Sequence, residues 1–120
     1  MEVPKIFESE YRFCLILWEH EPVSSRRLVE ICNDVLGWSK ATTYTVIRRL
    51  SERGIVKNEN TIVSSLISKE EAQKSRIKAM VEETFEGSMP AFIAAFSKAK
   101  KLTRQEVDQL KALIDSYEEE

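Results

Sequence analysis

Ala41, Thr42, Tyr44, Thr45, Arg48 and Arg49 are spaced to crowd one side of a helix, with Glu52 closing the row. None of them suits catalysis, but together they suit the reading of a nucleic acid. A methyl and short hydroxyls near a helix N-terminus can approach base edges and thymine methyls closely. Arginines further along can take guanine or phosphate. An ordinary solvated helix would show Lys and Glu pairs on this face. The plain alternative is a partly polar helix with incidental arginines.

The element that must position these residues is WSKATTYTVIRRLSERG, residues 38–54. Ser39 caps the free N–H groups of its first turn, and Gly54 supplies the left-handed residue that ends it. Thr43, Val46, Ile47 and Leu50 form the opposite stripe, which needs a core to pack against. The candidate DNA contacts are therefore Ser39, Lys40, Ala41, Thr42, Tyr44, Thr45, Arg48 and Arg49, together with Arg26 from the preceding helix.

The formal net charge of −2 over 120 residues argues against a general nucleic-acid coat, but its distribution favours a local site. Residues 24–58 hold seven cations against three carboxylates. Residues 1–23 hold two against five, and residues 59–120 nine against twelve.

Before the central helix, residues 8–20 (ESEYRFCLILWEH) predict a helix with a wide apolar face, stopped by Pro22. Ser24 or Ser25 caps a second helix to about Val35, with Leu28, Ile31, Cys32 and Val35 inward. Arg26 and Arg27 open it, where the helix dipole disfavours cations. They are either phosphate contacts or two solvated arginines. Leu36, Gly37 and Trp38 then connect two helices into a helix-turn-helix. After Gly54, short β-prone runs at 55–57 and 62–67 surround Asn58, Glu59 and Asn60, and predict a hairpin that forms a weakly basic wing.

Capping boxes open two later helices, at Ser68–Glu71 and Thr103–Glu106, and a third restarts at Ser88-Met89-Pro90. Their apolar residues are Ile77, Met80, Val81 and Phe85; Met89, Phe92, Ile93 and Phe96; and Val107, Leu110, Leu113 or Ile114, and Tyr117. Three helices of this length do not enclose a core of their own, so a second subunit is the expected partner. The expected fold is mainly α with a small β-hairpin: a winged helix-turn-helix over 1–67 followed by a helical dimerisation segment over 68–120.

Cys14 and Cys32 lie in apolar helical runs and are expected as buried free thiols in a reducing, cytoplasmic compartment. FCLILW is too short to span a bilayer, so no membrane insertion is expected. One histidine and no paired cysteines give no metal site. No nucleophile–His–acid set or phosphate loop is present, so neither an enzyme nor a cofactor is expected.

The order of these elements resembles the penicillinase-repressor family, the winged-helix repressors of β-lactamase, methicillin-resistance and copper-homeostasis genes. The residues carrying the resemblance are Glu10 with Trp18-Glu19-His20, then Trp38-Ser39, Thr42, Thr45, Arg49-Leu50 and Gly54. EGSMPAFIAAF and LTRQEVDQLKALI complete it. The resemblance implies a homodimer on a palindromic DNA operator that blocks transcription. For antibiotic-sensing members it also implies a membrane-bound zinc metalloprotease sensor and cleavage in the dimerisation helices, at a bond matching Ala95–Phe96. Ala95 stands where those members carry Asn. The closing SYEEE lacks the paired Cys-x-Cys of the copper branch. Ala41 replaces a Lys of the antibiotic-sensing repressors, with Lys40 one place earlier. Two other functions fit the same helices: a winged helix used for protein interaction, and a regulator binding a small molecule between the C-terminal helices and the winged helix.

Overall fold

The computed structural model describes residues 3–117; the last three residues of SYEEE lie outside that range. The element order is α1 (Glu8–His20), β1 (Val23–Ser24), α2 (Ser25–Leu36), α3 (Lys40–Glu52), β2 (Val56–Glu59), β3 (Ile62–Ser65), α4 (Lys69–Phe85), α5 (Met89–Ala99) and α6 (Arg104–Asp115). Two compact units result, Met1–Ala79 and Met80–Glu120.

The first unit is a winged helix built on one sealed core. Phe13, Cys14 and Leu17 of α1 meet Leu28 and Cys32 of α2, Ile47 and Leu50 of α3, and Val56 and Val63 of the sheet. All nine are essentially inaccessible to water. Ala72 on the first half of α4 joins the same cluster. The expected boundary at 67/68 thus falls at the start of α4, whereas the compact unit runs on through Ala79.

The sheet is antiparallel with order β1-β3-β2. Its hairpin pairs Glu59 with Ile62, which makes Asn58 and Glu59 strand residues and Asn60–Thr61 the turn. This corrects the expectation of a turn over 58–60. Asn60 and Thr61 have φ of 52° and 66°, the left-handed pair that a two-residue hairpin turn demands. A β-branched residue seldom adopts that conformation. At Thr61 the carbonyl is held by the Ser25 N–H at 2.8 Å.

The strand β1 is absent from the sequence expectation. It is two residues long, pairing Val23 with Val63 and Ser24 with Ile62, and it leaves no periodicity to read. A second correction concerns Val35, expected inward but 65% exposed. Leu36 packs against the core in its place, and Gly37 turns the chain at φ 70° immediately afterwards.

Polar groups fix the edges of the unit. The Trp18 indole N–H donates to the Ile67 carbonyl at 3.0 Å. The Ser65 N–H and hydroxyl both donate to the Glu21 carboxylate, at 2.7 and 2.8 Å. Arg76 of α4 lies 4.1 Å from the Tyr11 ring centre and 3.2 Å from Glu8 on α1.

In the second unit, α5 starts on Ser88, whose hydroxyl accepts the Ala91 N–H. The reciprocal capping box of Thr103 and Glu106 forms at 2.9 and 3.1 Å and opens α6. Phe85, Phe92 and Phe96 make a short aromatic ladder, with centroids 5.7 and 6.1 Å apart. Neither α5 nor α6 has a buried residue.

Candidate nucleic-acid interface

The helix α3 begins on Ser39, whose hydroxyl accepts the Thr42 N–H at 3.1 Å and meets the Thr42 hydroxyl at 3.0 Å. Two of the expected contact residues are therefore locked to each other at the helix start. The turn before it is also pinned: the Asn33 side-chain amide donates to the Trp38 carbonyl at 3.0 Å. The Trp38 ring stacks parallel to Phe13 of the core at 6.3 Å. Beyond the cap, Thr43, Val46, Ile47 and Leu50 are buried, which fixes the rotation of the helix about its axis.

That rotation leaves Lys40, Ala41, Thr42, Tyr44, Arg48 and Arg49 exposed, with Thr45 half-buried among them. Arg48 is loosely paired with Glu52 at 3.8 Å, both in solvent. An exposed pair of this kind contributes little to stability, so exchanging the carboxylate for a base or a phosphate costs little. No acidic residue sits in the first turn of α3 or of α2, so the positive ends of both dipoles stay free for an anion.

On α2, Ser24 is the cap and accepts the Arg27 N–H at 3.1 Å. The two arginines there differ. Arg27 pairs with Glu30 at 3.4 Å, whereas Arg26 is exposed and, among the described residues, makes no ion pair. In the wing Lys57 faces Glu59 at 3.9 Å, so its one cation is partly neutralised.

One cation of the basic middle is withdrawn altogether. Arg53, at the C-cap of α3, grips Glu10 of α1 with both of its terminal nitrogens, at 2.6 and 2.9 Å. Burial works against the Glu10 carboxylate. Hydrogen bonds from Arg53 and the Phe7 N–H outweigh it, and the charges of Arg53 and Arg49 add to them, so its pKa falls below the usual 4.5. Sequence reasoning missed this pair; the only signal was the place of Glu10 on the inward stripe of α1, three and four residues before Phe13 and Cys14.

Both cysteines are free and buried. Burial, with the Glu10 charge nearby, pushes the Cys14 thiol up to about 12. Burial likewise pushes Cys32 up to about 11, partly offset by a hydrogen bond with Thr43. Neither is set up as a nucleophile. Among the described residues no group of three or more His, Cys, Asp or Glu gathers to hold a metal, and no helix is long and apolar enough to cross a membrane.

The expected dimerisation residues divide by exposure within one chain. Ile77, Met89, Ile93, Phe96 and Ile114 are exposed, while Met80, Phe85, Phe92, Val107 and Leu110 are half-buried. Val81 is already buried in the single subunit and offers nothing to a second one. Ala95 and Phe96 lie inside the regular helix α5, so a protease would reach that bond only after local unwinding. An open cavity of about 770 Å³ is lined by Leu113, Ile114, Ser116 and Tyr117 at the end of α6, and neither Phe85 nor Phe92 lines it.

Comparison with known proteins agrees with this geometry. The family model described as penicillinase repressor matches residues 6–116. The methicillin resistance regulatory protein MecI of Staphylococcus aureus is 23% identical over 115 residues, covering 92% of this chain and 94% of that one. MecI of Mammaliicoccus sciuri is 22% identical over the same length. Among solved structures, monomeric BlaI of Bacillus licheniformis in complex with the blaP half-operator aligns at a TM-score of 0.52 and 19% identity. It covers 58% of this chain and 90% of its own. The DNA-binding domain of the repressor BlaI aligns at 0.51 and 21%, covering 59% and 93%. With nearly its whole length matched, the chain belongs to the penicillinase repressor family of DNA-binding transcriptional regulators.

Proposed function

We propose that this chain is a sequence-specific repressor that acts in the cytoplasm and binds a pseudo-palindromic DNA operator as a homodimer. In this reading α3 enters the major groove with Lys40, Ala41, Thr42, Thr45 and Arg48 toward base edges. Ser39, Tyr44, Arg49 and Arg26 face the phosphates. The observation that carries the reading is the two-sided character of α3. Its apolar stripe is sealed in the core, while its hydroxyl, methyl and arginine face is left in solvent. A relative of the same fold, BlaI, holds a half-operator as a monomer. That supports assigning one half-site to each subunit, with the two recognition helices about 34–36 Å or a multiple apart on the duplex.

The exposed apolar residues of α5 and α6 support a dimer built by the second unit. Release from DNA then follows from whatever separates the subunits, whether a membrane-bound metalloprotease or another agent delivers it.

The test is a salt titration on the duplex that the wild-type protein selects from a randomised pool. Phosphate contacts release counterions, so affinity should fall steeply with salt. Arg48→Ala should lower specific affinity by about 1–3 kcal/mol and relax base preference, and Thr45→Ala should do the same. Arg26→Ala should weaken all sequences alike and reduce the salt slope by about 1. A shallow slope with no preferred duplex would instead point to a protein-interaction module.

A further inference from the structure

We propose that Glu10 and Arg53 are positioning residues for DNA recognition: their partly buried ion pair fixes the C-terminal end of α3 on α1, and so sets the angle at which the recognition face meets the groove. This inference rests on the reading of α3 as the DNA-reading helix.

The stripe of Thr43, Val46, Ile47 and Leu50 determines which side of α3 faces inward. Apolar contacts alone are non-directional and leave tilt weakly specified. Apart from a hydrogen bond between Thr43 and the Cys32 thiol of α2 near its start, the other side-chain hydrogen bonds of α3 are local. Thr43 and Ser51 donate to carbonyls four residues back, at Ser39 and Ile47, and Ser39 binds Thr42. Among the described residues, the one ion pair from Ser39–Arg53 to another helix is Arg53 to Glu10.

The tie is built for geometry. Two parallel N–H donors on one carboxylate fix both distance and plane. The Glu10 side chain is 8% exposed and that of Arg53 31%. The same guanidinium also donates to the Lys5 carbonyl and lies 5.5 Å from the Phe7 ring centre. Glu10 in turn accepts the Phe7 N–H at 3.0 Å. One carboxylate therefore joins the start of α1 to the end of α3, 43 residues away. Stability alone does not call for such a pair, since apolar residues of similar volume often serve as well or better at buried sites. Every donor edge that Arg53 spends here is lost to phosphate.

The experiment compares wild type with Glu10→Gln/Arg53→Met, which removes both charges and so leaves neither stranded. Affinity for the duplex selected by wild type and for mixed-sequence duplex is measured across a salt series, with circular dichroism and thermal melting on each sample. Val23→Ala, a core change outside α3, serves as a control for lost stability. The double variant should lose about tenfold in the ratio of specific to mixed-sequence affinity, the scale of one base contact. Its mixed-sequence affinity and salt slope should stay as in wild type, and Val23→Ala should keep the full ratio. Arg53→Lys, which keeps the charge but not the two-point grip, should lose part of the ratio. It carries the test if the double variant does not fold. An unchanged ratio in the folded variants reduces the pair to a stability element and overturns the proposal. A parallel fall in mixed-sequence affinity and salt slope makes Arg53 a phosphate contact and overturns it as well. If wild type selects no duplex at all, the DNA reading fails before the variants are compared, and the positioning role falls with it.

Discussion

The two compact units handle their apolar residues in opposite ways. In Met1–Ala79 the stripes of α1, α2 and α3 pack into one core, and its largest fully buried side chains are Phe13, Leu17, Leu28 and Leu50. In Met80–Glu120 the helices are as well capped, yet Ile93 is 39% exposed, Phe96 44% and Ile114 68%. Capping and amphipathic pattern are equally good in both units, so local sequence quality does not make the difference. What differs is the number of elements that converge. Three helices, a sheet and the start of α4 close a core, while α5 and α6 do not. Exposed apolar residues of that kind support the proposed subunit interface.

The contrast leads to unequal mutational effects. The largest should come from a charge placed on the exposed face: Phe96→Asp should leave the winged helix folded by circular dichroism, yet lower operator affinity by a factor on the order of 10²–10⁴, because the second half-site contact is no longer intramolecular. Sedimentation and gel shift on the same sample would check both halves of that statement. A Phe96→Asp protein that stays dimeric would place the interface elsewhere.

Next in size is a core truncation. Leu50→Ala should cost about 2–5 kcal/mol in urea unfolding, as a fully buried leucine does. Leu113→Ala, on a residue 67% exposed, should shift the unfolding of dilute, monomeric protein by less than about 0.5 kcal/mol. Equal costs would erase the distinction between the units.

A smaller effect should follow pH. The Glu10 carboxyl has its pKa lowered in the folded chain by Arg53 and the Phe7 N–H against the penalty of burial. Its contribution is therefore complete above the unfolded value of 4.5 and is lost as pH falls through the lower folded value. The thermal midpoint of wild type should drop on acidification below 4.5 by more than that of Glu10→Gln/Arg53→Met. Identical acid profiles would mean that the pair does not hold the ionised state.

What the sequence disclosed follows the range of the interactions. The start of α3 at Ser39, its buried stripe, the caps at Ser68, Ser88 and Thr103, and the hairpin were legible because each depends on residues within a few positions. The strand β1 and the withdrawal of Arg53 were not, and the turn was set too early because Asn58 and Glu59 are polar yet paired in the sheet. Val23 pairs with a strand forty residues on, and Arg53 with a carboxylate 43 residues back. Val35 misled because both it and Leu36 continue the α2 stripe, and only the turn at Gly37 decides between them. On α3 the exposed face was readable from types and spacing, but which of the basic residues of the candidate interface remain free was not. Ion pairing with Glu10 and Glu30 is a tertiary or rotameric fact that composition does not carry.

In the proposed function the first unit reads DNA and the second joins the subunits. The decisive measurement is the molecular mass and half-site affinity of Met1–Ala79 alone. The expected result is a folded monomer that keeps the base preference of the full chain and binds the whole operator on the order of 10²–10⁴ times more weakly. A Met1–Ala79 fragment that is dimeric, or that binds the operator as a monomer with full-length affinity, would contradict it.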